Sequence, residues 1–194
     1  MKTQTLKTTL ASLLLAIILI STYSCSNEKK DSNKVANNPV GVTVHGAALM
    51  GDTQSMEKLI KAKVDLNQKD EYGSTGLSIA ATFNKPEIAK MLVEAGADLS
   101  IQSADGSTAL HTAAFFGRTE IVEILLAKGI DTKVRNNFGI TAQESIQAPF
   151  ANVKMIYDQI AKDLGPLGLK LDYDQIKSAR PTINKMINDH LSSL

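Results

Sequence analysis

Apolar positions in the middle of the chain recur with a fixed period of 33 residues. Ile88, Ala89, Leu92 and Val93 return as Ile121, Val122, Leu125 and Leu126, and the i, i+1, i+4, i+5 spacing within each set makes one stripe on a helix. The polar punctuation keeps the same period. Gly73, Gly106 and Gly139 are 33 apart, as are Thr75, Thr108 and Thr141, and Asp65, Asp98 and Asp131. Aligning residues 70–102 with 103–135 gives 12 identities in 33, too many at one offset for chance. Each unit predicts two short helices. A Gly-Ser-Thr turn with Thr75 or Thr108 as N-cap opens the first, which carries the small pairs Ala47-Ala48, Ala80-Ala81 and Ala113-Ala114. Gly51, Asn84 and Gly117 then allow a tight turn into the second helix. Gly96 and Gly129 end that helix in left-handed geometry, and Asp98 and Asp131 open an extended turn to the next unit. The pattern weakens at both ends. In the first unit Lys63 replaces the C-terminal glycine. In the fourth, Gln143 and Glu144 replace Leu-His, Pro149 interrupts, and a one-residue deletion aligns Val153, Ile156 and Tyr157 with the second-helix stripe.

Two segments lie outside this period. After Leu164 a Gly165-Pro166-Leu167-Gly168 break precedes a last apolar stripe of Ile176, Ile183, Met186, Ile187 and Leu191, predicting one helix kinked at Pro181 or two helices divided there. That segment reads as a cap over the end of the stack or as a separate docking element. At the other end, Lys2 and Lys7 precede an apolar run from Leu10 to Ile20, too short for a spanning helix of ~20 residues and suited to a secretory leader.

The repeat residues resemble the ankyrin family through Gly-Ser-Thr-Ala-Leu-His-Thr-Ala-Ala at 106–114, Gly-Arg-Thr-Glu-Ile-Val-Glu-Ile-Leu-Leu at 117–126 and Gly-Ile-Asp at 129–131. The implied fold is all-α: an ankyrin-repeat solenoid of helix-turn-helix units with extended turns, about four units over 39–164 with the last degenerate, plus a C-terminal helical cap over 165–194. Drift in the outer units fits a stack whose terminal repeats face water on one side. The leader resembles a bacterial lipoprotein signal over residues 1–24, with Ser24 before Cys25, the sole cysteine. Thr22 stands where that family usually has Leu, and Tyr23 is bulky for its place. The resemblance implies diacylglycerol on the Cys25 thiol and a membrane partnership through that lipid. An ordinary secreted protein and an uncleaved anchor are the alternatives. Residues 25–38 form a polar tether of 14 residues that spans ~20 Å as a flexible coil. Ser26, where an Asp would mark inner-membrane retention in enteric bacteria, points to the outer membrane and periplasm of a bacterial envelope.

Charge and composition narrow the function. Formal net charge is +1, and removing Lys2 and Lys7 with the leader leaves 19 basic against 20 acidic side chains, or −1. A near-neutral body has no excess charge for phosphate backbones, so nucleic acid is not expected as a partner. His45 and His111 occupy one repeat position, a structural one in ankyrins, and His190 has no acid partner in sequence. Asp98 and Asp131 are repeat punctuation, and Asp172 and Asp174 are solvated or capping residues. With no phosphate loop, nucleophile elbow, metal-ligand spacing or cysteine cluster, the expectation is no catalysis, no cofactor, no metal and no small-molecule substrate.

What remains is a protein partner. In an ankyrin stack the turn tips and first helices line a concave side where partners bind. Four of the five Phe residues fall at positions that the scaffold leaves free, although aromatics are only 5% of the chain. Aromatic and Met side chains are favoured interface anchors. The expected protein-binding strip is Met50, Tyr72, Phe83, Phe115, Phe116 and Phe138, set against packing of some of these between repeats. The expected function is a lipid-anchored envelope protein that binds a partner through this strip. The alternatives are an inhibitor or immunity protein covering an enzyme or toxin site, and a self-assembling structural protein of the envelope.

Overall fold

A computed structural model describes residues 41–193. They belong to the compact unit Asn38–Leu194. The leader, Cys25 and the polar tether lie outside the described residues. Nine α-helices and no strand occur among them. The helices are α1 (Val44–Met50), α2 (Thr53–Lys61), α3 (Gly76–Thr82), α4 (Pro86–Glu94), α5 (Ala109–Phe115), α6 (Thr119–Ala127), α7 (Ala142–Ser145), α8 (Phe150–Leu164) and α9 (Tyr173–Ser192). No described helix is long and apolar enough to cross a membrane.

Each first helix starts at a threonine. Thr43 Oγ1 accepts the Gly46 N–H at 3.0 Å, Thr75 Oγ1 that of Ser78 at 3.3 Å and Thr141 Oγ1 that of Glu144 at 3.2 Å. At Thr108 the reciprocal half of the cap dominates: its N–H donates to His111 Nδ1 at 3.2 Å. Nδ1 therefore accepts, and the Nε2 proton goes to the Ile140 carbonyl at 3.2 Å. His45 makes the same bridge to the Ser74 carbonyl at 3.1 Å. Both histidines thus tie a first helix to the extended turn of the following unit. At the turn between the two helices, Gly117 has φ +66° and Asn84 takes its place in the preceding unit at φ +54°.

The first helices α1, α3, α5 and α7 stack in one row. The second helices α2, α4 and α6 stack in another. Ala47, Ala48, Ala80, Ala81, Ala113 and Ala114 are fully buried in the first row, where their small side chains let neighbouring helices pack closely. The apolar core runs continuously from Val44 to Ile187, with Ile88, Leu92, Ile121 and Leu125 fully enclosed by the second row.

The fourth unit departs from the sequence-based expectation. Its first helix stops after Ser145, and Pro149, which keeps Ala148 out of helical geometry, bars its extension to the length of the other first helices. Val153, Ile156 and Tyr157 are buried, yet α8 does not take the second-helix place. That place is held by α9, which packs on α6 and touches α5 and α7. Gln175 Nε2 at its start donates to the Gly117 carbonyl at the start of α6 at 2.7 Å. Near its end, Asn184 and Asn188 accept from Gln143 Nε2 of α7 at 2.9 and 2.7 Å. The helix therefore runs parallel to α6, as a fourth second helix does, and buries Ile176, Ala179, Ile183 and Ile187. It is a single helix. Pro181 sits inside it on the exposed face, away from the packed side of the helix. Asp172 caps its start, accepting from the Asp174 and Gln175 N–H groups at 3.0 Å each.

Candidate protein-binding surface

The extended turns form a ladder along the stack. Within each tip a backbone pair closes a narrow hairpin-like turn: Asp70 N–H to Ser74 O, Ser103 N–H to Ser107 O and Asn136 N–H to Ile140 O, at 2.9, 2.9 and 3.0 Å. Asp70 Oδ1 accepts from the Tyr72 and Ser74 N–H groups at 2.9 and 2.7 Å, and Asn136 Oδ1 accepts from Phe138 N–H at 3.1 Å. Neighbouring tips are then joined to one another. Ala104 N–H donates to Tyr72 O at 3.0 Å, and Asn137 N–H to Asp105 O at 2.9 Å. Lys69 Nζ reaches Gln102 O at 2.9 Å, and Gln102 Nε2 reaches Arg135 O at 3.2 Å, each across one 33-residue step. The tips are thus held at fixed spacing by backbone bonds and by the side chains of Lys69, Gln102 and Asn137.

The six aromatic and Met positions fall into separate environments. Met50 and Tyr72 are open to solvent, at 74% and 50% exposure. The carboxylate of Glu71 beside Tyr72 raises its phenol pKa, with burial adding a smaller push. Phe83 and Phe138 are half-buried. Phe116 is buried at 6% exposure, and the Arg118 guanidinium stands 5.7 Å from its ring centroid. Phe115 is half-buried and stacks on Tyr157 of α8, with centroids 4.4 Å apart and planes at 19°. So the third unit packs its two phenylalanines into an internal aromatic cluster, and the first two units present Met50 and Tyr72 to solvent.

That cluster was not foreseen from the sequence. Tyr157 is fully buried between Phe115 and Phe150, the second stack having centroids 5.2 Å apart. Its hydroxyl donates to the Phe115 carbonyl at 2.6 Å. Burial pushes its pKa up to about 12, against the opposing pull of Arg180 and Arg118. One unit earlier the same carbonyl position, Thr82 O, accepts from Arg118 Nη2 at 3.2 Å. At the corresponding place in the next unit stand Phe150 and Ala151, neither with a side-chain donor, and Tyr157 supplies the donor instead. The signal was present only as a loss, the missing arginine.

Elsewhere the electrostatics are those of a scaffold. Burial lowers the His111 pKa, partly offset by its bond to the Ile140 carbonyl. The Thr141 N–H and then Arg135 hold Glu144 below the ordinary carboxylate range. Asp98 and Asp131 accept the N–H groups of Ser100 and Lys133, at 2.8 Å each, and so shape turns. Among the described residues, no group of three His, Cys, Asp or Glu side chains stands close enough to hold a metal ion.

A family model described as ankyrin repeats, in three copies, matches residues 44–136. A comparison with curated proteins gives no match. The matched span covers α1 to α6 and two linked tips, and α7 and α9 continue the same two rows. Residues 44–136 are ankyrin repeats, and the described chain is an all-helical ankyrin solenoid closed by C-terminal helices.

Proposed function

We propose that this chain is a lipid-anchored envelope protein that holds a partner protein against the open, N-terminal part of its repeat surface. Ankyrin repeats generally mediate protein–protein interaction, and that much follows from the fold. The single observation that carries the finer reading is the pair of large side chains left in water on adjacent units, Met50 and Tyr72. Met is deformable and Tyr combines an apolar ring with a hydroxyl, the side-chain chemistry favoured at interface centres. Both sit on a backbone held by the repeat scaffold, so little loop ordering opposes binding. The anchor rests on the leader and on Cys25, which is expected to carry the lipid and hold the stack within a tether length of the membrane.

The test is a capture experiment from bacterial envelope extract with the whole chain, beside Met50→Ala/Tyr72→Ala. A protein retained by the parent and lost by the double variant supports the reading. Equal retention moves the site elsewhere on the stack, and a failure to retain any protein favours self-association. Anchoring is tested separately. Metabolic labelling with an alkyne fatty acid should mark the parent and leave Cys25→Ser unlabelled. Label on neither protein would leave a secreted protein or an uncleaved anchor.

A further inference from the structure

Two buried cations stand out because no carboxylate accompanies them. Among the described residues, the buried side-chain polar atoms without a hydrogen-bond partner are Arg118 Nε, Arg180 Nε and Arg180 Nη2. Every ion pair among these residues is made by other side chains. Arg118 is accounted for within the stack by Thr82 O and the Phe116 ring. Arg180 is less well provided. It is 7% exposed, and its one hydrogen bond runs from Nη1 to the Ala148 carbonyl at 2.7 Å. Its guanidinium stands 5.6 Å from the Phe150 ring centroid, and Lys177 Nζ stands 5.1 Å from the same ring. Two positive charges thus share one ring, and burying a charge without a counter-ion is costly.

Both cations line an open groove of about 390 Å³ where the shortened first helix of the fourth unit leaves a gap beside α9. The other walls are mostly apolar, formed by Ile146, Pro149, Phe150 and Pro181, with the Gln147 and Asn184 amides among them. Lys177 also pairs with Asp174 at 2.8 Å, but that pair is half and nine-tenths exposed, and such pairs exchange partners at little cost. We propose that this groove binds a carboxylate carried next to an apolar side chain, with Arg180 and Lys177 as its counter-charges. A planar carboxylate matches a guanidinium, and the apolar walls take the neighbouring side chain. The carboxylate comes either from an Asp or Glu side chain or from the C-terminus of a peptide. The groove shares no residue with the Met50–Tyr72 surface, so the two stand or fall separately.

The test is an NMR titration of the whole 15N-labelled chain in nonionic detergent. The probes are acetyl-Leu-Glu-amide, acetyl-Leu-Leu with a free C-terminus, and acetyl-Leu-Gln-amide as the uncharged control. The expected result is a saturable shift of the Arg180 Nε–H and the Gln147 and Asn184 side-chain amides with at least one carboxylate probe. The control should bind roughly ten-fold more weakly or worse. Whichever carboxylate probe binds identifies the source. Lys177 is exposed, so Lys177→Ala keeps the fold and should weaken binding ~3-fold or more, and Arg180→Lys should weaken it further by removing the planar fork. Binding of the Gln probe as tight as that of the Glu probe overturns the proposal. So does a flat titration with both carboxylates, or wild-type affinity in Lys177→Ala and Arg180→Lys alike.

Discussion

Tyr157 fastens α8 to the repeat stack, and its contribution has a pH signature that removing one oxygen erases. At neutral pH Tyr157→Phe keeps the ring stack and loses the hydroxyl bond to the Phe115 carbonyl, at a cost of about 1 kcal/mol. The folded pKa is about 12, set above that of an exposed phenol, ~10, by burial. A raised pKa means that the folded state resists ionisation more than the unfolded chain does. The corresponding stability is complete below ~10 and is lost as the pH rises toward 12. At ~1.4 kcal/mol per pKa unit, the wild type has lost about 1.4 kcal/mol by pH 11 and about 2 by pH 12. Tyr157→Phe has no such loss. The two proteins should therefore differ by about 1 kcal/mol at pH 8, unfold together near pH 11, and reverse order by about 1 kcal/mol at pH 12. Urea unfolding followed by circular dichroism at the three pH values measures the gap directly. The difference between the two proteins cancels the titrations of Tyr72, Tyr173 and the lysines. A gap that stays constant from pH 8 to pH 12 would refute the reasoning, because it would mean that Tyr157 is reached by water.

The remaining predictions concern the ladder, the histidine bridge and the surface. Gly106→Ala puts a Cβ 2.6 Å from Asn137 N, whereas Gly129→Ala has the same φ of +78° and no atom within 4 Å. Both should lose about 1 kcal/mol to backbone strain, and Gly106→Ala a further ~1–3 kcal/mol from the clash, read as the difference in urea unfolding at equal m-value. The His111 pKa is lowered in the folded state by burial, so its stability contribution is present above ~6.5 and is lost as the pH falls toward the lower folded value. Stability should drop between pH 7.5 and 5, and His111→Gln should flatten that drop in parallel unfolding curves. Met50→Ala/Tyr72→Ala should change stability by no more than ~0.5 kcal/mol, whereas Phe115→Ala should lose roughly 2 kcal/mol, about half the cost at a fully buried ring. Thermal unfolding of the two variants against wild type distinguishes surface from cluster.

The repeats were legible because every cue pointed one way. Thr75 caps, the Ala pairs pack, Asn84 and Gly117 turn, and the His45 and His111 bridges repeat at the same register. The fourth unit was half legible. Pro149 announced the break, but Val153, Ile156 and Tyr157 carry an apolar stripe as good as that of Ile176, Ile183 and Ile187. Hydrophobic spacing says that a face is buried, not against what. The deciding features are polar and specific: Gln143 meets Asn184 and Asn188, and Gln175 meets the Gly117 carbonyl, over sequence separations of 41 to 58 residues. The candidate strip ran into the same limit. Scarce aromatics at free repeat positions drew attention to Phe115, and only a partner 42 residues away shows why it is partly withdrawn from solvent.

The placement of α9 also bears on whether the stack grows by assembling with itself. A solenoid adds units indefinitely only if its end faces stay apolar, because each new unit must bury the face of the one before. Neither described end is of that kind. The outward residues of α2 are Thr53, Gln54, Glu57, Lys58 and Lys61, all exposed. At the other end α9 turns Ser178, Thr182, Lys185 and Asp189 to solvent while Ile176, Ile183 and Ile187 face the core. Lys61 pairs with Glu57 and Lys185 with Asp189 on these outer faces, so end-to-end contact would desolvate charges for no apolar return. A helix of 20 residues at the closing position covers the full length of α6, with its 9, and overhangs it. Neither described end face therefore offers an apolar surface on which a further unit could stack. Of the large apolar side chains still in water, Met155 and Leu167 belong to the C-terminal helices, and Met50 and Tyr72 belong to the repeats, where they are open to contact with a different protein.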